Sequence, residues 1–144
     1  MSAQNNLRLW GEHLKGEFET KDENLSLSTM VEDASVVTMP TRWGGKGKAA
    51  LRPLYRDEFI PSIPPGWEHT LINRVVTDDC IVEEAMMRFR HTKQMDWFLP
   101  GVPPTGKPIE IEFVIIVDFR DGKMAAERIY WDQAAVLRQI GMLE

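Results

Sequence analysis

The stretch PIEIEFVIIVDFRDGKMAAERIYWD, Pro108–Asp132, decides the fold. Apolar residues fall at every second place from Ile109 through Ile111, Phe113, Ile115 and Val117 to Phe119, which is the period of a strand with one buried face. Asp121-Gly122 then supplies the residue types of a tight hairpin turn, and Lys123 to Trp131 returns as a second strand. Pairing Arg120 with Lys123 sets Phe119 opposite Met124, Phe113 opposite Tyr130 and Ile111 opposite Asp132, so Tyr130 and Asp132 become polar intruders on an apolar wall. A bulge at Gly122 would invert that last strand and carry Glu127 and Trp131 inside instead. The opposite face, with Glu110, Glu112 and Asp118 among Val114, Ile116 and Ile129, suits solvent or the packing of one sheet on another.

Working outward, Trp67 to Thr77 and Ile81 to His91 read as another hairpin, turning at Asp78-Asp79. Continuing that register pairs Asn73 with Glu84, His69 with Arg88 and Trp67 with Arg90, a face that is polar along its length. Before Gly66 the period changes. Leu7, Trp10, Leu14 and Phe18 line one side of a helix from Asn6 to Glu19, Leu25 to Val31 suggests a second short helix, and Val36 to Met39 an extended piece. The loop Arg42-Trp43-Gly44-Gly45 leads to a third helix from about Gly47 to Phe59, ended by Pro61, Pro64 and Pro65. Helices first and long antiparallel strands afterwards make an α+β arrangement, with the helices covering one face of a curved sheet and a helical turn, Asp132 to Ile140, closing the chain.

The 144 residues, 43% hydrophobic and 27% charged, suffice for one domain with a real core, taken as residues 1–144. A net charge of −5 with the signs interspersed argues against nucleic acid as a partner. The start of the chain lacks a targeting pattern and no apolar run is long enough to span a bilayer, so a cytoplasmic protein with no membrane partner is expected. Cys80 stands alone and reads as a structural thiol, and the three histidines lack the spacing of a metal site, so neither metal nor cofactor is expected.

The run FRDGKMAAERIYWDQAAVLRQIGML, Phe119 to Leu143, resembles the end of SnoaL-like polyketide cyclases and related members of the nuclear-transport-factor-2-like superfamily, and LPGVPPTGKP, Leu99 to Pro108, resembles the loop before their penultimate long strand. The resemblance implies a cone-shaped antiparallel sheet wrapped around N-terminal helices, the cystatin-like α+β barrel, with a pocket inside and commonly a homodimer through the sheet face. It also implies that Asp132 matches the aspartate closing the last strand in the family's cyclases and hydrolases. A carboxyl in an apolar cavity has its pKa raised towards neutrality, where proton transfer is most effective. Asp132 is therefore the expected acid/base, with Glu84 and His69 beside it. Tyr130, Arg88, Trp131 and His91 are expected to contact substrate, and Trp43, Tyr55 and Trp97 to stack on a flat ring. Asp is also a favoured helix N-cap, which gives Asp132 a purely structural alternative. The function expected is a cofactor-independent cyclase or isomerase acting on a small cyclic carbonyl compound. A hydrolase with a carboxylate-activated water and a non-catalytic binding or dimerisation module stay open.

Overall fold

The computed structural model describes residues 2–143. Helix α1 (Ala3–Phe18) begins where the Ser2 hydroxyl accepts the Asn5 N–H, satisfying a free donor of the first turn. It is followed by α2 (Glu23–Ser28), β1 (Met30–Thr38), β2 (Trp43–Lys46), α3 (Lys48–Pro53), a π-helical segment (Leu54–Phe59), α4 (Ile60–Ser62), β3 (Glu68–Val76), β4 (Cys80–Arg90), β5 (Pro108–Arg120), β6 (Lys123–Tyr130) and α5 (Gln133–Gln139). Among the described residues the strands form one six-stranded sheet in the order β2-β1-β6-β5-β4-β3. All neighbours are antiparallel except β1 and β6. The α+β expectation holds. Val31 belongs to β1 and not to the second helix, and the loop expected at Trp43-Gly44-Gly45 is an edge strand. Gly44 is required there: a Cβ would stand 1.8 Å from the Val36 carbonyl oxygen.

Strand β5 keeps perfect alternation, with Ile109, Ile111, Phe113, Ile115, Val117 and Phe119 buried against the helices. Its partner does not. Arg120 pairs with Lys123 and Phe119 with Met124 as the turn predicts, but Asp118 then pairs with Ala126, leaving Ala125 as an extra residue. This bulge lies three residues beyond Gly122, and it produces the inversion expected of a bulge in the turn. Met124, Glu127, Ile129 and Trp131 are buried, while Tyr130 is exposed.

The β3–β4 hairpin repeats the device. Asn73 pairs with Glu84, but a second irregularity at Ile72 shifts the rest, so His69 lies opposite Met87 and not Arg88. Since Met87 is on the inner face with Ile81, Glu83, Ala85 and Phe89, His69 turns inward with it. Helix α1 is pinned across this hairpin by Asn6, whose Nδ2 donates to the carbonyls of Thr77 (3.1 Å) and Asp78 (2.8 Å). Among the described residues no helix is long and apolar enough to cross a membrane.

Candidate active site

Three buried polar side chains meet between α1 and the inner face of β6. His13 and Glu17 are one turn apart on α1, and the bulge brings Glu127 to them from β6. His13 Nε2 lies 3.4 Å from Glu17 Oε2, 3.5 Å from Glu127 Oε1 and 3.3 Å from the hydroxyl of Tyr55. The other ring nitrogen is fixed. Nδ1 donates to the Ser26 carbonyl oxygen at 3.1 Å, beside the Thr29 hydroxyl at 3.0 Å, so Nε2 is the nitrogen that gains or loses a proton.

That geometry needs α2 very close to α1. Gly16 permits it, because a Cβ there would fall 2.4 Å from Ser26 Oγ and 2.8 Å from Ser26 N. Tyr55 comes from the π-helical segment, where Pro53 has just removed an N–H from the helical ladder and the Ile60 N–H reaches five residues back to the Tyr55 carbonyl.

The charges are set by this crowding. Burial opposes a charge on His13, but Glu17 and Glu127 more than offset it and hold the imidazolium up to about 10. Burial raises the Glu17 carboxyl; His13 opposes the rise and Glu127 adds to it. Tyr55 is pushed well above its ordinary value, by burial first and by the two glutamates after it, so its hydroxyl stays a donor.

Glu17, Tyr55 and Glu127 open onto a cavity walled by aromatic rings, among them Trp10, Phe18, Trp43, Phe59, Trp67 and Trp97. Its volume is about 30 Å³, room for water beside the carboxylates. An outer groove of about 480 Å³ between α1 and residues 63–67 shares Leu14, Phe18, Trp67 and His69 with it, which places these four at the mouth. The His69 imidazole is lowered, by desolvation first, with Arg74 adding and Glu83 opposing.

Of the residues singled out from sequence, His69, Trp43, Tyr55 and Trp97 line the cavity. The others do not. Asp132 is exposed and caps α5, its Oδ1 accepting the Ala135 N–H at 3.2 Å, because the bulge has turned the end of β6 around. Tyr130 goes outward for the same reason. Glu84 is exposed on the outer face opposite Val114, while its neighbour Glu83 is buried against Arg74. Arg88 is also on the outer face, 3.1 Å from Glu110. His91 is buried at the end of β4, where its Nδ1 accepts the Thr105 N–H at 3.2 Å. Trp131 is inside but packs in the core on Phe98 and Phe113.

Sequence reasoning missed Glu17 and used His13 only as one of three histidines. A signal was present: Asn6, Leu9, Trp10, His13 and Glu17 share a helix face, and its buried line runs about one residue away from the stripe drawn through Leu7, Leu14 and Phe18.

A family model for SnoaL-like polyketide cyclases matches residues 65–140, just over half of the chain. The chain belongs to the SnoaL-like polyketide cyclase family. Solved structures of this fold superpose over nearly its whole length. A putative SnoaL-like polyketide cyclase from Jannaschia sp. CCS1 does so with TM-score 0.73 and 18% identity, covering 96% of this chain and 95% of that one. A putative polyketide cyclase from Xanthomonas campestris gives 0.70 and 19%, covering 96% and 98%. A protein from Catenulispora acidiphila with a ketosteroid isomerase-like fold, solved in complex with trimethylamine, gives 0.69 and 14%, covering 96% and 95%. No curated protein sequence matches significantly.

Proposed function

We propose that this SnoaL-like protein is an acid/base enzyme of cyclase or isomerase type, moving a proton beside the carbonyl of a small cyclic substrate. One observation carries the reading: two buried carboxyl groups, Glu17 and Glu127, border one aromatic-walled cavity and share a single imidazole. Such a pair divides acid and base work when environment separates the two groups. Burial raises the Glu17 carboxyl, which suits it to proton return, and Glu127 takes the proton from the carbon next to the carbonyl. The electrons released move onto the carbonyl oxygen. Tyr55 donates its O–H there, while the protonated Nε2 of His13 donates to the Tyr55 oxygen and strengthens that donor. Reprotonation at carbon by Glu17 completes an isomerisation; attack of the same carbanion on an internal carbonyl, with the proton of Glu17 passing to the alkoxide oxygen that forms, completes a ring closure.

A ring is larger than the cavity of about 30 Å³, so binding must displace the half-buried Trp43 at its edge. Water does fit, which favours hydrolysis by a carboxylate-held water as the second reading. Incorporation of ¹⁸O from labelled water into the acid released from a small lactone is the outcome that would select it.

The test uses 1-indanone as a probe carbonyl compound in D₂O, following exchange of its α-protons by ¹H NMR. The protein should accelerate exchange above buffer, and the Glu17→Gln, Glu127→Gln double variant should return it to the buffer rate. A wild-type rate equal to buffer, or a double variant as fast as wild type, refutes the reading.

A further inference from the structure

Five tryptophans give five indole N–H donors, and three of them have acceptors. Trp43 Nε1 donates to Glu58 Oε1 at 3.2 Å, Trp97 Nε1 to Ser62 Oγ at 2.8 Å and Trp131 Nε1 to Gln133 Oε1 at 2.6 Å. Trp10 Nε1 and Trp67 Nε1 are buried and meet no acceptor among the described residues. Both of these rings line the cavity.

A buried N–H without a partner is rare and destabilising. Two of them on one small cavity, while every other indole is satisfied, mark positions where an acceptor belongs. The rings themselves are held. Trp10 stacks on the His13 imidazole with centroids 5.7 Å apart and planes 15° apart, and Trp67 stacks on Phe89 at 4.5 Å and 11°. Their donors are therefore fixed in place before a ligand arrives, which is what makes a hydrogen bond selective.

We propose that Trp10 and Trp67 are specificity-determining residues whose indole N–H groups bind acceptor oxygens of the ligand, one near the carboxyl pair and one at the mouth. Among the described residues the cavity is lined by no lysine or arginine and by two glutamates, so the acceptors that suit it are uncharged: carbonyl, ether or hydroxyl oxygens on a flat ring, not carboxylate or phosphate. An analogue lacking the oxygen leaves these donors unpaired and is rejected. This rests on the acid/base reading only in taking the ligand to be the substrate.

The test compares 1-indanone with indane, which has the same ring system without the oxygen. Binding is followed by ¹H–¹⁵N NMR of the five indole N–H signals, assigned with single Trp→Phe variants. The Trp10 or Trp67 N–H proton should move downfield with indanone and not with indane, while the signals of Trp43, Trp97 and Trp131 show no such ketone-specific shift. Indanone should bind roughly five- to tenfold more tightly than indane, and Trp10→Phe or Trp67→Phe, whichever removes the indole whose signal moves, should abolish that preference while indane binding is retained. Equal binding of the two compounds, binding of neither up to millimolar concentration, or a preference kept in both Trp10→Phe and Trp67→Phe overturns the proposal. Catalytic loss in the Glu17 and Glu127 variants with no indole shift would leave the acid/base reading standing and sink this one alone.

Discussion

The two hairpins begin alike and end differently from what their turns dictate. In each, the residues next to the turn pair as expected, Val76 with Ile81 and Arg120 with Lys123, and in each one extra residue then reverses the far part of one strand. In β3 the reversal brings in His69 on an exposed edge strand, at the cavity mouth; in β6 it brings in Glu127 in the middle of the sheet, 96% buried against His13. The unbulged partners β4 and β5 supply the apolar wall. Regular strands make the container, and the irregularities supply its chemistry.

Deleting Ala125 and Ala126 together is the most severe way to break this comparison. It leaves no residue for the bulge, sets Glu127 opposite the outward Asp118 and turns Tyr130 and Asp132 inward, and should abolish α-proton exchange together with a drop in Tm of many degrees. Deleting Leu71 and Ile72 together, which sets His69 opposite the outer-face Met86, should cost less, because β3 has a neighbour on one side only: exchange is weakened, the fold is kept, and thermal unfolding with the exchange assay ranks the two deletions. Equal effects would mean that the position in the sheet does not matter.

Gly16→Ala should cost about 1–3 kcal/mol in chemical denaturation, because its Cβ meets Ser26 and the contact can be relieved only by moving α2 and its bond to His13. A stability-neutral result would contradict the packing described.

The buried trio also predicts a pH dependence. His13 is held protonated up to about 10, above its ordinary 6.5, so its contribution to stability is complete below 6.5 and is lost as pH rises towards 10. Glu17, raised as well, acts in the same direction, since folding favours its protonated form. The denaturant midpoint should therefore fall between pH 6.5 and 10, and His13→Gln should flatten that slope. Asp132→Ala should have the smallest effect, about 1 kcal/mol from the lost cap of α5, with exchange within roughly twofold of wild type.

The container was legible in the sequence and the site largely was not. Alternation from Ile109 to Phe119 places β5 correctly because every second residue is apolar. Nothing in Met124-Ala125-Ala126-Glu127 marks which alanine is the extra one, since both are small and tolerate either face; the inversion could be foreseen but was tied to Gly122. The same ambiguity put Asp132 inside and Glu84 near His69. Glu17 was hidden because a glutamate on a helix is ordinarily solvated, and only the approach of α2 at Gly16 and of Glu127 across the sheet buries it.

The most direct measurement sets the α-proton exchange rate of 1-indanone in Glu127→Gln beside that in Asp132→Asn, with circular dichroism showing both folded. Loss of roughly 10²–10⁴-fold in Glu127→Gln with Asp132→Asn near wild type is the predicted result. Full activity in Glu127→Gln and loss in Asp132→Asn would show that the carboxylate turned inward by the bulge does no chemistry.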